Sequence, residues 1–125
     1  MAARFHALIR SFGYAFAGIA HVLRTERNLQ IHACATVAAC GLGAFLDLSA
    51  GEWCAVLLAI GLVWSAEILN TAVERLGDAI TRERNEHIRH AKDAAAGAVL
   101  VAAIVAAIVG TIVFLPNLIS LFKGP

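Results

Sequence analysis

The sequence predicts an all-α integral membrane protein, with one amphipathic helix on the membrane surface followed by three transmembrane helices. Three observations predict it. Of 125 residues, 60% are hydrophobic and only 15% charged, with a mean hydropathy of +0.77; soluble domains carry roughly 45–50% apolar residues and about 25% charge. Three stretches approach the roughly 20 apolar residues that a bilayer core of about 30 Å requires. The few charges gather mostly between those stretches. The length fits a single domain over 1–125. Abundant apolar surface and only two prolines exclude intrinsic disorder.

Residues 4–24 form the surface helix. Phe5, Leu8, Ile9, Phe12, Phe16 and Ile19 recur at helical spacing, while Arg4, His6, Arg10 and Ser11 occupy other faces. A helix seated in the membrane interface has this pattern. The first span, 31–48, is short and carries Asp47 at its end. The second, 53–73, holds Glu67 and Asn70 within it, and the third, 94–115, is uncharged and is expected to stop at Pro116. The first and third are rich in Ala and Gly, which allow close helix approach in lipid. Residues 75–93 form a charged cytoplasmic segment in which Asp78 and Ile80 can carry the second helix onward before it breaks. No cleavable signal peptide is expected. Cys34, Cys40 and Cys54 are odd in number and lack zinc-type spacing, so they are expected to be small, reduced core residues.

Charge placement orients the spans. Of ten Lys and Arg residues, Arg4, Arg10, Arg24 and Arg27 precede the first span, and Arg75, Arg82, Arg84, Arg89 and Lys92 lie between the second and third. Only Lys123 falls on the other side. The N-terminus and the 75–93 segment are therefore expected in the cytoplasm, and the C-terminus outward. A formal net charge of +1 gives no whole-chain attraction to nucleic acid.

Glu67 is the residue that membrane insertion least tolerates. A carboxylate deep in a transmembrane helix costs around 2.5–3.5 kcal/mol on insertion scales. Glu74 follows seven residues later, within about 20° of the same helical face, with Asn70 between them. One polar stripe thus descends from the cytoplasm into the bilayer. Burial makes the charged form of Glu67 costly, which suits it to accept a proton. Glu74 sits at the water boundary, where an oxygen ligand for a hard cation such as Mg²⁺ is tolerated. Asn70 can hold a neighbouring carboxylate or a hydroxyl. Glu26 immediately precedes the first span, and Lys92-Asp93 the third, where a lysine at a helix start opposes the dipole and points to an anionic ligand. A purely structural stripe of helix contacts is the plainer alternative.

The run Glu67-Ile68-Leu69-Asn70-Thr71-Ala72-Val73-Glu74, followed by Ala91-Lys92-Asp93 and the apolar third span, resembles the prokaryotic diacylglycerol kinase family, which includes diacylglycerol and undecaprenol kinases. The resemblance extends from about Arg4 to Leu115 and takes in the upstream Glu26-Arg27-Asn28. It implies a helical-bundle homotrimer in the bacterial cytoplasmic membrane, with active sites shared between subunits. It implies direct transfer of the γ-phosphoryl group of Mg-ATP to a lipid hydroxyl. It makes Glu67 the catalytic base, Glu26 and Glu74 the Mg²⁺ ligands, and Asn70 a support for base and substrate. Lys92 and Asp93 would contact the nucleotide, with Tyr14 and Glu83-Arg84-Asn85 near it, and the segment from Asn28 to His32 would line the lipid entry. His32 stands where enteric diacylglycerol kinases tend to carry an acid, so Glu26-Arg27-Asn28 with Ile31-His32 looks more like the undecaprenol kinase branch.

No Gly-rich phosphate cradle or soluble-kinase catalytic loop is present, so a nucleotide site has to be built from carboxylates, Lys92 and helix ends. Two other classes fit the composition. In a small ion- or proton-coupled membrane protein, Glu67 would be a transport carboxylate, but such a protein has no need of Glu26, Glu74, Lys92 and Asp93 on one side. A structural or regulatory membrane subunit needs none of them.

Overall fold

A computed structural model describes residues 2–123 as four helices. They are α1 (Ala2–Thr25), α2 (Arg27–Phe45), α3 (Ala50–Ile80) and α4 (Glu86–Lys123). The most extensive packing is between α3 and α4, with α2 laid against α3 and the end of the chain's first helix touching both α2 and α3. The start of α3 meets the end of α4 (Glu52 with Asn117), and the end of α3 meets the start of α4 (Gly77 with Ile88 and Lys92), so the pair is an antiparallel hairpin.

Local chemistry sets each boundary. Glu26 alone separates α1 from α2, with an extended backbone (φ −106, ψ 115) between two helical segments. α3 opens on a capping box: the Ser49 side chain accepts from the Glu52 N–H, and the Glu52 carboxylate accepts from the Ser49 N–H at 2.8 Å. α3 closes at Thr81, whose backbone is again extended. Asn85 caps α4, its Oδ1 accepting from the N–H groups of His87 and Ile88 at 3.0 and 3.2 Å.

Three expectations are corrected. The first span does not remain helical to residue 48: α2 ends at Phe45 and the chain turns at Asp47, which adopts φ 54. The turn folds Leu48 and Trp53 over Gly43, where a Cβ would lie 3.0 Å from each side chain. Nor does Pro116 stop the last helix, since α4 continues through it to Lys123. Proline removes one backbone hydrogen bond, but the Asn117 side chain donates to the Val113 carbonyl at 2.8 Å and to Glu52 Oε1 at 2.7 Å. These bonds fasten the helix beyond the proline to the start of α3. The cysteines are free as expected, but they are not core: Cys34 and Cys54 are exposed and Cys40 is half-buried.

The buried apolar core is small and sits at the turn end of the bundle, where Leu48, Val56 and Val113 pack with Trp53, Ile60, Val109 and Phe114. Elsewhere large apolar side chains face outward, among them Phe5, Phe12 and Phe16 on α1 and Leu100, Ile104, Ile108 and Ile112 on α4. Among the described residues, two helices are long and apolar enough to cross a membrane, α3 and residues 86–121 of α4. α2 falls short of that measure because its first turns carry Arg27, Asn28, Gln30 and His32.

Candidate functional site

The C-terminal half of α3 carries the polar stripe at its interface with neighbouring helices. Glu67 is 2% exposed and Asn70 8%, while Glu74 is half-buried. The Asn70 side-chain amide donates to Glu74 Oε1 at 3.3 Å, which is the pairing the spacing predicts. Glu67 Oε2 and Asn70 Oδ1 are both buried with no hydrogen-bond partner among the described residues. A buried polar atom left unpaired costs about 1–3 kcal/mol, more when charged. Folding gains nothing from that arrangement, so the two oxygens are available to something that is not part of the chain.

Gly77 extends the same stripe by one further turn, seven residues beyond Asn70. A Cβ there would meet Ile88 Cγ2 and Lys92 Cε at 2.9 Å, so the missing side chain is what lets α4 close on α3. Lys92 crosses this gap and donates from Nζ to Asp78. The expectation that Lys92 sits at a helix start is therefore corrected. α4 begins at Glu86, and Lys92 lies nearly two turns inside it, held across the stripe by packing.

An open cavity of about 330 Å³ adjoins this crossing, lined by Asp78, Thr81–Asn85, Ile88, Arg89, Lys92 and Asp93. It collects five of the predicted nucleotide residues: Glu83, Arg84, Asn85, Lys92 and Asp93. Each is tied to a neighbour. Arg84 pairs with Glu86 at 3.1 Å, Asp93 accepts from Arg89 at 3.3 Å, and the Glu83 N–H donates to Thr81. Tyr14 is not brought to this group; its side chain is 76% exposed on α1 and lines neither of the cavities described here.

Glu26 meets α3 one residue past Glu74. Its Oε1 accepts from Arg75 Nη2 at 2.7 Å, and the Arg75 guanidinium also donates to Thr25 Oγ1 at 2.8 Å and to His21 Nε2 at 2.5 Å. The hydrogen bond from Arg75 holds the Glu26 carboxyl below the usual carboxylate range. Asn28 is exposed at the start of α2. His32 is half-buried and lines a second cavity, of about 180 Å³, formed by α2, α3 and α4. Its walls are apolar apart from His32, Thr36 and Trp64, and there the Trp64 indole donates to Thr36 Oγ1 at 3.0 Å while Thr36 donates to the His32 carbonyl at 2.8 Å. Val63 and Trp64 in its wall precede Glu67 by one helical turn, about 6 Å along the axis.

Among the described residues, no three His, Cys, Asp or Glu side chains gather closely enough to hold a metal ion alone. Glu26 and Glu74 are hard oxygen donors of the kind magnesium takes, and on nucleotides that ion needs only one or two carboxylates beside the phosphates. The unpartnered Asn70 Oδ1 beside Glu74 adds a further oxygen at that level.

Three groups of residues escape a reading of the sequence. Arg75 follows Glu74 but points off the stripe, and its ties to His21 and Glu26 span about fifty positions. Gly77 was findable, since it falls on the stripe's own spacing. The Trp64–Thr36 bond joins two apolar runs, and periodicity does not reveal such a pairing.

The sequence model of the prokaryotic diacylglycerol kinase family matches residues 13–114. Over 109 residues the chain is 46% identical to an undecaprenol kinase of Bacillus subtilis, covering 87% of this chain and 89% of that protein. It is 43% identical over 115 residues to a diacylglycerol kinase of Synechocystis, covering 91% of this chain and 66% of that protein. A diacylglycerol kinase of Escherichia coli is 32% identical over 100 residues, 80% of this chain and 82% of that protein.

Proposed function

The chain belongs to the prokaryotic diacylglycerol kinase family, and from that premise we propose how this membrane-bound, ATP-dependent lipid kinase assigns its chemistry to residues. Glu67 is the general base. It takes the proton of a lipid hydroxyl as the hydroxyl oxygen bonds to the γ-phosphorus of ATP and the β–γ bridging oxygen departs with ADP. The observation that carries this reading is the buried Glu67 Oε2, which has no partner among the described residues. Asn70, bonded to Glu74 and with its own carbonyl oxygen unpartnered, holds the base level in register with the phosphate level.

Phosphoryl transfer asks for positioning and charge neutralisation more than covalent work by the protein. Glu26 and Glu74 would hold magnesium, which when bound would supply charge neutralisation for the transfer. Lys92 and Asp93 contact the nucleotide in the open cavity, together with Glu83, Arg84 and Asn85. Because Lys92, Asp93 and Arg84 are paired within the chain, nucleotide binding exchanges those partners. Tyr14 reaches the nucleotide only if α1 moves or a neighbouring subunit supplies it.

The lipid enters beside α2, past Asn28 and His32, and lays apolar chain in the cavity one turn beyond Glu67. We favour undecaprenol over diacylglycerol. The run from Glu26 to His32, Glu26-Arg27-Asn28 with Ile31-His32, looks like the undecaprenol kinase branch. α2, α3 and α4 cross the bilayer, α1 lies in the cytoplasmic interface, and the N-terminus is cytoplasmic. A homotrimer with shared sites completes a centre that one chain leaves open on several sides. The test of substrate is a side-by-side assay: γ-labelled ATP, mixed micelles, and either undecaprenol or diacylglycerol. Faster transfer to undecaprenol supports the assignment, and faster transfer to diacylglycerol replaces it.

A further inference from the structure

We propose that Arg75 is a positioning residue for Glu26, and that it aims the Glu26 carboxylate at the nucleotide's metal. The inference rests on the reading that Glu26 holds that metal. Its own support is geometric. Glu26 occupies the N-cap of α2, a position whose side chain ordinarily turns inward to cap the helix. Here the Glu26 side chain makes no cap hydrogen bond and turns instead to Arg75 on α3. The guanidinium is itself fixed from three directions, by His21 Nε2, Thr25 Oγ1 and Glu26 Oε1. Arginine's planar fork is suited to this because its donors keep a set geometry relative to one another.

The contact is one-sided. Arg75 takes Glu26 Oε1, and Thr25 donates to the same oxygen at 3.2 Å. Among the described residues no side chain donates to Oε2, which leaves one carboxylate oxygen with its acceptor capacity unused. Arg75 follows Glu74 directly in the chain, so the clamp brings Glu26 to the helical level of the second proposed ligand. Without Arg75 nothing on α3 holds the α1–α2 corner at that level through Glu26. His21 accepts from Arg75, because a guanidinium has only donors, and so it serves as the brace on the far side.

The test measures metal binding apart from turnover. Free Mn²⁺ is followed by its paramagnetic resonance signal while the membrane-reconstituted full chain is titrated in the presence of a non-hydrolysable ATP analogue. Arg75→Ala is expected to weaken nucleotide-dependent Mn²⁺ binding by about 10- to 100-fold, the usual effect of removing the partner that orients a metal ligand. Arg75→Lys is expected to recover part of that loss. In the transfer assay the Mg²⁺ requirement of Arg75→Ala rises, while its rate at saturating Mg²⁺ returns toward that of the unmodified protein. Unchanged or tighter Mn²⁺ binding in Arg75→Ala overturns the proposal. Glu26→Gln separates the two readings: if it weakens Mn²⁺ binding and Arg75→Ala does not, only the positioning role fails. If neither variant changes binding, the metal assignment of Glu26 fails with it. Should Arg75→Ala not insert, Arg75→Gln keeps an amide donor and is read in the same way.

Discussion

Lys92 lies across Gly77, its Cε placed 2.9 Å from where a Cβ on that glycine would stand, and in this position its ammonium reaches Asp78 on the far side. A glycine on the polar face of α3 thereby decides where the principal cation of the candidate nucleotide site sits. The hairpin of α3 and α4 closes over one missing side chain.

Gly77→Ala is expected to displace Lys92 and Ile88 together. Lysine can swing aside, but Ile88 Cγ2, also at 2.9 Å, has less room. Overpacking of this kind costs about 1–3 kcal/mol. The transfer assay should show a raised KM for ATP with a smaller change in KM for lipid, and thermal unfolding should show the stability loss.

The Glu26–Arg75 pair makes stability depend on acid. A carboxyl whose folded pKa lies below its ordinary 4.5 binds its proton more readily in the unfolded chain. The pair's stabilisation is therefore complete above 4.5 and is lost as pH falls through the lowered folded value. Both side chains are partly exposed, so the pair contributes no more than about 1 kcal/mol. Thermal midpoints of the unmodified protein and Arg75→Ala should differ at neutral pH and converge in acid well below 4.5.

Asn117 holds the end of the bundle that lies away from the proposed phosphoryl transfer and nucleotide cavity. Asn117→Ala removes the donor to Glu52 Oε1 and to the Val113 carbonyl, just where Pro116 has already taken a backbone bond from α4. A stability loss of about 1–3 kcal/mol is expected, with kcat and the KM for ATP unchanged. Loss of transfer activity in a folded Asn117→Ala protein would show that this end takes part in turnover.

Trp64→Phe keeps the aromatic wall of the apolar cavity and removes the indole donor to Thr36. About 1 kcal/mol of stability should go with the hydrogen bond. If this cavity receives the lipid chain, the KM for lipid shifts while the KM for ATP does not. Competition between undecaprenol and diacylglycerol in one micelle reads out the same change as a ratio of products.

The parts of this protein that were legible in its sequence are those governed by periodicity along one helix. Glu67, Asn70 and Glu74 share a face because seven residues nearly complete two turns, and the Asn70–Glu74 bond follows from that spacing. The four helices were legible too, because apolar runs and charged breaks alternate cleanly. Contacts that join distant segments were not. Arg75 to His21, Trp64 to Thr36 and Asn117 to Glu52 depend on how helices dock, and no local pattern encodes docking. Two boundary errors have the same origin. Proline chemistry alone predicts a stop at Pro116, but α4 runs through it, and Asn117 just beyond is bonded to the Val113 carbonyl and to the Glu52 carboxylate of α3. The end of the first span was read from hydropathy, but the fit of Leu48 and Trp53 against Gly43 sets it.

Glu67 is the residue on which the account turns. Glu67→Gln preserves the shape of the side chain and replaces a buried carboxyl whose Oε2 has no partner among the described residues, so it takes away the proposed base. The decisive measurement is γ-phosphoryl transfer from ATP to undecaprenol by Glu67→Gln protein in mixed micelles, beside its thermal unfolding curve. If Glu67 is the base, kcat falls by about 10²–10⁴-fold, with unchanged nucleotide-dependent Mn²⁺ binding and a stability equal to or above that of the unmodified protein. Full transfer activity in Glu67→Gln would contradict that assignment.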